Sequence, residues 1–198
     1  MTNYSQNNEQ EAILNFFNGK VGGFLDIGAH DGIEFSNVRA LAESGWSGML
    51  VEPNPVTFSK LMALYGSQPQ FKLVLGAVSD GEGAFEMVHE SDREWAGTMI
   101  QACVEAHTIQ VDSRYWVKAW TPADLVALAV RTGITFDFVN IDAEWADGGI
   151  VMQGTELLQN TQLICVEKGR THDMEALCRE KGFGRLILNT PENLIFAR

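Results

Sequence analysis

The sequence predicts an α/β fold: one doubly wound, mostly parallel sheet with helices on both faces and an antiparallel hairpin at its C-terminal end. Three observations predict it. Short apolar runs alternate with amphipathic stretches from Phe24 to Lys181, and that β-α-β-α order builds a parallel sheet. Right-handed crossovers then place helices on both faces. Finally, Arg185–Leu188 and Leu194–Ala197 flank Asn189-Thr190-Pro191-Glu192-Asn193 with no helix between them, so these two runs pair as a hairpin on the sheet edge. A length of 198 residues suits one domain spanning 1–198.

In order along the chain, Glu9–Phe17 has apolar residues at Ala12, Ile13, Phe16 and Phe17. This helical spacing makes residues 1–20 an N-terminal helical extension. Phe24–Ile27 is the first strand. Glu34–Glu43 reads as a helix with Phe35, Val38, Leu41 and Ala42 on one face, stopped by Gly45. Gly48–Val51 is a strand, and Pro55–Tyr65 a helix with proline in its first turn. Phe71–Leu75 and Phe85–Val88 are strands. Thr121-Pro122-Ala123-Asp124 opens a helix, with Thr121 as N-cap. Strands at Phe136–Ile141 and Leu163–Val166 alternate with helices at Ile150–Leu158 and Met174–Lys181. Trp46 and Phe58 read as helix–sheet packing.

Composition excludes several classes. No apolar run approaches the roughly 18 residues that span a bilayer, and the polar N-terminus lacks the pattern of a secretory signal. A membrane partner is not expected. Cys103, Cys165 and Cys178 form no C-x-x-C pair, so reduced thiols in a cytoplasmic protein are expected rather than a zinc site. The four histidines show no metal-ligand spacing. A net charge of −12 repels phosphate backbones and argues against nucleic acid as the main partner. It suits a cationic ligand. An oligomer is left open.

Ligands of doubly wound sheets bind beyond the carboxyl ends of the strands. After the first strand comes Asp26-Ile27-Gly28-Ala29-His30-Asp31-Gly32. Gly28 and Gly32 permit a tight turn and close approach to a ligand, and Asp26 can bind an ammonium group. The pattern is G-x-x-x-G, not the G-x-G-x-x-G of nicotinamide binders. After the second strand comes Glu52-Pro53-Asn54-Pro55, where an acidic residue can accept from ribose hydroxyls. A glycine-rich turn and a helix-start acid without a ligand are the plain structural alternatives. After the fourth main strand come Asp142, Glu144 and Asp147 within six residues. Asp142 and Glu144 could orient or deprotonate an acceptor hydroxyl, or hold Mg²⁺, or simply cap the next helix.

The stretch FLDIGAHDGIEFSNVRALAESGWSGMLVEPNP resembles the FkbM family of methyltransferases. So does VNIDAEW, beside that family's I-D-x-E-G. The resemblance runs from about Phe24 to about Glu167 and is weakest between His89 and Trp120. It implies a Rossmann-like sheet of the class I methyltransferase type, which the terminal hairpin also fits, and S-adenosylmethionine as methyl donor. By resemblance Asp26, Gly28, His30 and Asp31 line the cofactor's amino-acid end, with Ala29 and Gly32 in the same loop. Glu52, beside Pro53, holds the ribose, and Ala77, Val78 and Asp80 border the adenine. The acceptor it implies is a hydroxyl on a sugar, glycan or small natural product. Trp145 stands where the family carries glycine, which separates acceptor specificity from the resemblance.

Residues from about 90 to 116 interrupt the β-α alternation and carry Trp95, Gly97, His107, Tyr115 and Trp116. An acceptor-side insertion is expected here, acting as a lid, with a meander on the sheet edge as the alternative. Two rival functions stay open at this point: a nicotinamide-dependent oxidoreductase, and a non-catalytic binding module that kept the fold.

Overall fold

The computed structural model describes residues 2–81, 83–89, 97–98, 113–144, 146–169 and 172–198, with the side chains of residues 88, 89, 97, 98 and 113 left aside. Seven strands form the main sheet: β1 (Gly23–Ile27), β2 (Ser47–Glu52), β3 (Phe71–Leu75), β8 (Phe138–Ile141), β9 (Leu163–Glu167), β10 (Arg185–Asn189) and β11 (Asn193–Ala197). Their spatial order is β10-β11-β9-β8-β1-β2-β3. Pairs β8–β1, β1–β2, β2–β3 and β8–β9 are parallel, whereas β11 runs antiparallel to both β9 and β10. The fold class and the terminal hairpin read from the sequence are therefore present. The hairpin forms one edge of the sheet, with β10 outermost and β11 between it and β9.

Alternation along the strands divides the core into two layers. Leu25, Ile27, Met49, Val51, Val139, Ile141 and Ile164 face α4 (Pro122–Thr132), α5 (Asp147–Gln153) and α6 (Met174–Glu180). Phe24, Leu50, Phe138, Leu163 and Cys165 face α1 (Glu9–Phe17), α2 (Arg39–Glu43) and α3 (Pro55–Tyr65). Trp46 is fully buried in the second layer and donates from its indole to the Lys20 carbonyl (3.1 Å), as packing requires. Cys165 and Cys178 are buried and unoxidised, while Cys103 lies outside the described residues. No described helix is long and apolar enough to cross a membrane.

Local chemistry explains where the elements differ from expectation. The helix expected from Glu34 starts only at Arg39. Phe35 takes a left-handed φ of 56° and stands exposed. Ser36 Oγ then accepts from the amides of Val38 and Arg39 (3.4 and 3.1 Å), which competes with a helix through this point. The helix expected over Ile150–Leu158 instead begins at Asp147, because Asp147 Oδ1 accepts from the Ala143 amide (2.7 Å) and pins the chain one turn earlier. At α4 the expectation holds in detail: Thr121 and Asp124 form a reciprocal capping box, and Pro122 opens the helix.

A second sheet was not foreseen. It has the order β4-β7-β5-β6, from β4 (Ala77–Val78), β5 (Ala84–His89), β6 (Gly97–Thr98) and β7 (Ser113–Trp120). Gly76, at φ 151°, lets the chain pass from β3 into β4, since a Cβ there would stand 2.6 Å from the Trp120 ring. Of the insertion expected over about 90–116, residues 97–98 and 113–116 lie in these strands, and residues 90–96 and 99–112, with Trp95 and His107, lie outside the described residues.

Candidate active site

A cleft of about 420 Å³ opens at the carboxyl ends of the main strands. Strand β1 stands between β2, which leads to β3, and β8, which leads to β9, so the order reverses there and two loops diverge. Period-two alternation fills the opening. Phe24, Leu50, Phe138 and Cys165 share one core layer. Asp26, Glu52, Asn140 and Glu167, two residues further along their strands, therefore project on the same side.

Asp26 is buried and accepts from Asn140 Nδ2 (2.8 Å), its register partner on β8. Asn140 in turn accepts from Asn37 Nδ2 (3.0 Å). Burial, reinforced by the charge of Glu52 and opposed by the Asn140 bond, pushes the Asp26 carboxyl up to about 7. Glu52 ends β2. Its Oε1 accepts from the Asn54 amide (2.7 Å) and Thr57 Oγ1 (3.0 Å), and its Oε2 from the His30 amide (2.8 Å). Burial raises its pKa despite these bonds.

The loop after β1 is shaped by close approach. Gly28 has φ 82°, and a Cβ on it would stand 1.8 Å from the Asp142 carbonyl oxygen. Backbone bonds close the same junction: the amides of Gly28 and Ala29 donate to the Val51 carbonyl, and that of Asp142 to Ile27. His30 adopts φ 51°, and neither imidazole nitrogen has a hydrogen-bond partner among the described residues.

Of the residues read from the sequence, Asp26, Gly28, Ala29, His30, Glu52, Pro53, Ala77, Val78, Asp142 and Glu144 line the cleft. Three candidates stand elsewhere. Asp31 Oδ1 accepts from the amides of Ile33 and Glu34 (2.9 and 3.0 Å), a turn-forming role. Gly32 packs where a Cβ would meet Tyr65 and Leu61. Asp80 is exposed and lies against Gly149 in the first turn of α5. Trp145 falls outside the described residues.

Sequence reasoning missed Asn140, Glu167, Asn37, Gln6 and Asn193, which also line the cleft; Tyr115, read as part of the acceptor-side insertion, lines it too. Two carried a signal. Asn140 is a polar residue inside the apolar strand Phe138–Ile141, and Glu167 ends a strand as Glu52 does. Among the described residues, the lining carboxylates are Asp26, Glu34, Glu52, Asp142, Glu144, Glu167 and Glu192, with no lysine or arginine.

Beyond β8 and at the end of β9, carboxylate oxygens of Asp142, Glu144 and Glu167 come within 4.8 Å of one another. Asp142 meets solvent along the cleft, yet protein surrounds it elsewhere. Desolvation, then the charges of Glu167, Asp147, Glu144 and Asp26, hold it well above the ordinary carboxylate range. Asp147 is almost fully buried, its Oδ2 has no hydrogen-bond partner among the described residues, and burial with the Glu167 charge raises it to about 7.

The profile of the methyltransferase FkbM domain matches residues 26–188. No curated relative matches the sequence. Among solved structures, the chain is similar to methyltransferase FkbM from Methylobacillus flagellatus KT, with a TM-score of 0.57 at 11% identity over 90% of this chain and 44% of that one. It therefore spans less than half of that protein's length. A TehB-like SAM-dependent methyltransferase from Corynebacterium glutamicum ATCC 13032 Kitasato gives 0.49 at 12% identity, over 96% of this chain and 87% of that one. The sheet order places this fold with the class I methyltransferases. Because the profile runs from the strand-end acid Asp26 through the acidic loop to β10, the chain belongs to the FkbM methyltransferase family.

Proposed function

We propose that the protein transfers a methyl group from S-adenosylmethionine to a hydroxyl of a sugar, glycan or other small natural product. The observation that carries this reading is the convergence of Asp26, Glu52 and Asp142 on one cleft at the point where strand order reverses.

The residues present fit the cofactor. Each carboxylate oxygen has two acceptor positions, and Glu52 Oε2 uses one, for His30. A place for a ribose hydroxyl is left. Asp26, whose side-chain bond comes from Asn140, keeps acceptor capacity for an ammonium group. Among the described residues, a lining of carboxylates without lysine or arginine favours a ligand carrying ammonium and sulfonium charge.

When bound, S-adenosylmethionine supplies a methyl carbon activated by the adjacent sulfonium. The chain's own work is alignment and relief of the acceptor's proton. Asp142 suits the second task. A carboxylate held above its usual range takes a proton more readily near neutral pH. Asp26 and Glu52 anchor the other end of the cleft.

A second reading adds Mg²⁺ on Asp142 and Glu144, with Glu167 as the further oxygen donor; the 4.8 Å clustering favours it. Chelation would then lower the methylation rate as loss of Asp142 does, and an unchanged rate with chelator removes the metal.

Two measurements test the function. Calorimetric titration with S-adenosylmethionine and with NAD should give binding by the first alone. Release of S-adenosylhomocysteine should then appear only when a hydroxylated acceptor from a sugar and natural-product panel is added. Cofactor binding without release on any acceptor would favour the non-catalytic module, and binding of NAD alone would return the oxidoreductase.

A further inference from the structure

The second sheet reaches the cleft through Ala77 and Val78 of β4 and through Met87 and Tyr115. Met87 and Tyr115 are register partners on β5 and β7. Ala77, Met87 and Val117 form a small apolar cluster with Tyr115 packed against it. Ala77 follows β3 after Gly76, and both residues line the cleft beside this cluster.

The Tyr115 hydroxyl is anomalous. Its oxygen is buried and has no hydrogen-bond partner among the described residues, although a buried phenol normally finds one. Burial and then the Glu52 charge raise its pKa, which keeps it a neutral donor at physiological pH. The hydroxyl thus offers one donor and two acceptor positions to the cleft, and Glu52 offers the open position on Oε2. A ligand placed between them must accept from one and donate to the other. A hydroxyl does both, and a vicinal diol presents two side by side.

We propose that Tyr115 is a cofactor-binding residue contributed by the second sheet, its hydroxyl hydrogen-bonded to the ribose diol that Glu52 grips from the opposite side. The inference rests on the nucleoside reading of the cleft. It gives the second sheet a role in donor binding, and it makes the cleft select an intact diol. A site built to hydrogen-bond a hydroxyl discriminates against an analogue that lacks it, because its own polar groups are then left unpaired.

The test uses the full chain with S-adenosylhomocysteine and its 2′-deoxy and 3′-deoxy analogues, titrated by calorimetry against wild type and Tyr115→Phe. Circular dichroism confirms that the variant is folded. Tyr115→Phe should bind S-adenosylhomocysteine about tenfold more weakly, the loss of one hydrogen bond. That difference should vanish for the deoxy analogue missing the hydroxyl Tyr115 holds. Equal affinity of variant and wild type for S-adenosylhomocysteine overturns the proposal. So does a loss that persists undiminished with both deoxy analogues, which would assign the effect to ring packing. Absence of binding by the wild-type chain overturns the nucleoside reading itself, and this proposal with it.

Discussion

At the scale of single residues, the junction of the first and fourth loops is the tightest point of the site. Gly28→Ala would place a methyl 1.8 Å from the Asp142 carbonyl at a φ of 82°. Overpacking and a left-handed alanine each cost roughly 1–3 kcal/mol, so chemical denaturation should show a loss of about 3 kcal/mol. Under the proposed function, Asp142 separates chemistry from binding. Asp142→Asn should lower turnover about a hundredfold, the lower end for a general base, while S-adenosylhomocysteine affinity by calorimetry stays within about twofold. Because the acid must be ionised to accept a proton, the wild-type rate should fall as pH drops through its raised pKa. The variant's profile should lack that limb. Turnover retained in Asp142→Asn would reduce the acidic loop to a helix-capping element. Asp26, Glu52 and Asp142 were legible in the sequence because each sits at the end of an apolar strand, where chemistry and topology coincide. Tyr115 was legible only as part of the insertion over about 90–116, since its place in the cleft depends on a strand pairing that local pattern does not encode.

At the scale of elements, the N-terminal helix is stitched to the terminal hairpin by Glu9. This buried carboxylate accepts from Thr190 Oγ1 and Asn193 Nδ2 (both 3.1 Å) and from the Asn7 amide (2.8 Å). Burial alone would raise its pKa, but the bonds from Asn193 and Asn7 together win and lower it. Glu9→Ala leaves those donors unpaired and should cost about 2–3 kcal/mol in urea denaturation. A loss below about 0.5 kcal/mol would mean that water replaces the carboxylate. The capping box of α4 offers a milder test, with Thr121→Ala expected to cost about 1 kcal/mol. Both helices were readable: α1 by its spacing of apolar residues, α4 by Thr-Pro-x-Asp. The helix expected at Glu34 was not, because Phe35 fits an amphipathic pattern while its backbone turns left-handed. The second sheet escaped for another reason. Its strands β5 and β7 pair across the long stretch between His89 and Ser113, so neither advertises its partner locally.

At the scale of the whole molecule, acid-rich burial sets the response to pH. Asp26 and Asp147 titrate near 7 in the folded chain, against about 4 when unfolded. Between those values the native state binds more protons than the unfolded one, so their contribution favours the fold at low pH and is lost as pH rises through 7. The melting temperature should therefore rise as pH is lowered from about 8 to about 5.5, and Asp147→Asn should flatten that slope. A melting temperature that falls over this range would contradict the buried-acid account. The doubly wound sheet was legible as a whole because its alternation is long and regular, whereas the insertion of β11 between β9 and β10 is a tertiary choice that an isolated hairpin pattern leaves undetermined. The carboxylate lining of the cleft reaches beyond equilibrium into kinetics. Under the proposed function its field would draw a cationic donor inward and speed encounter, an advantage that salt screens beyond a Debye length of about 8–10 Å. Under that same function, methyl transfer strips one positive charge from the occupant, the field that hastens arrival then relaxes its hold on the spent product, and added salt should slow capture of S-adenosylmethionine more than that of S-adenosylhomocysteine.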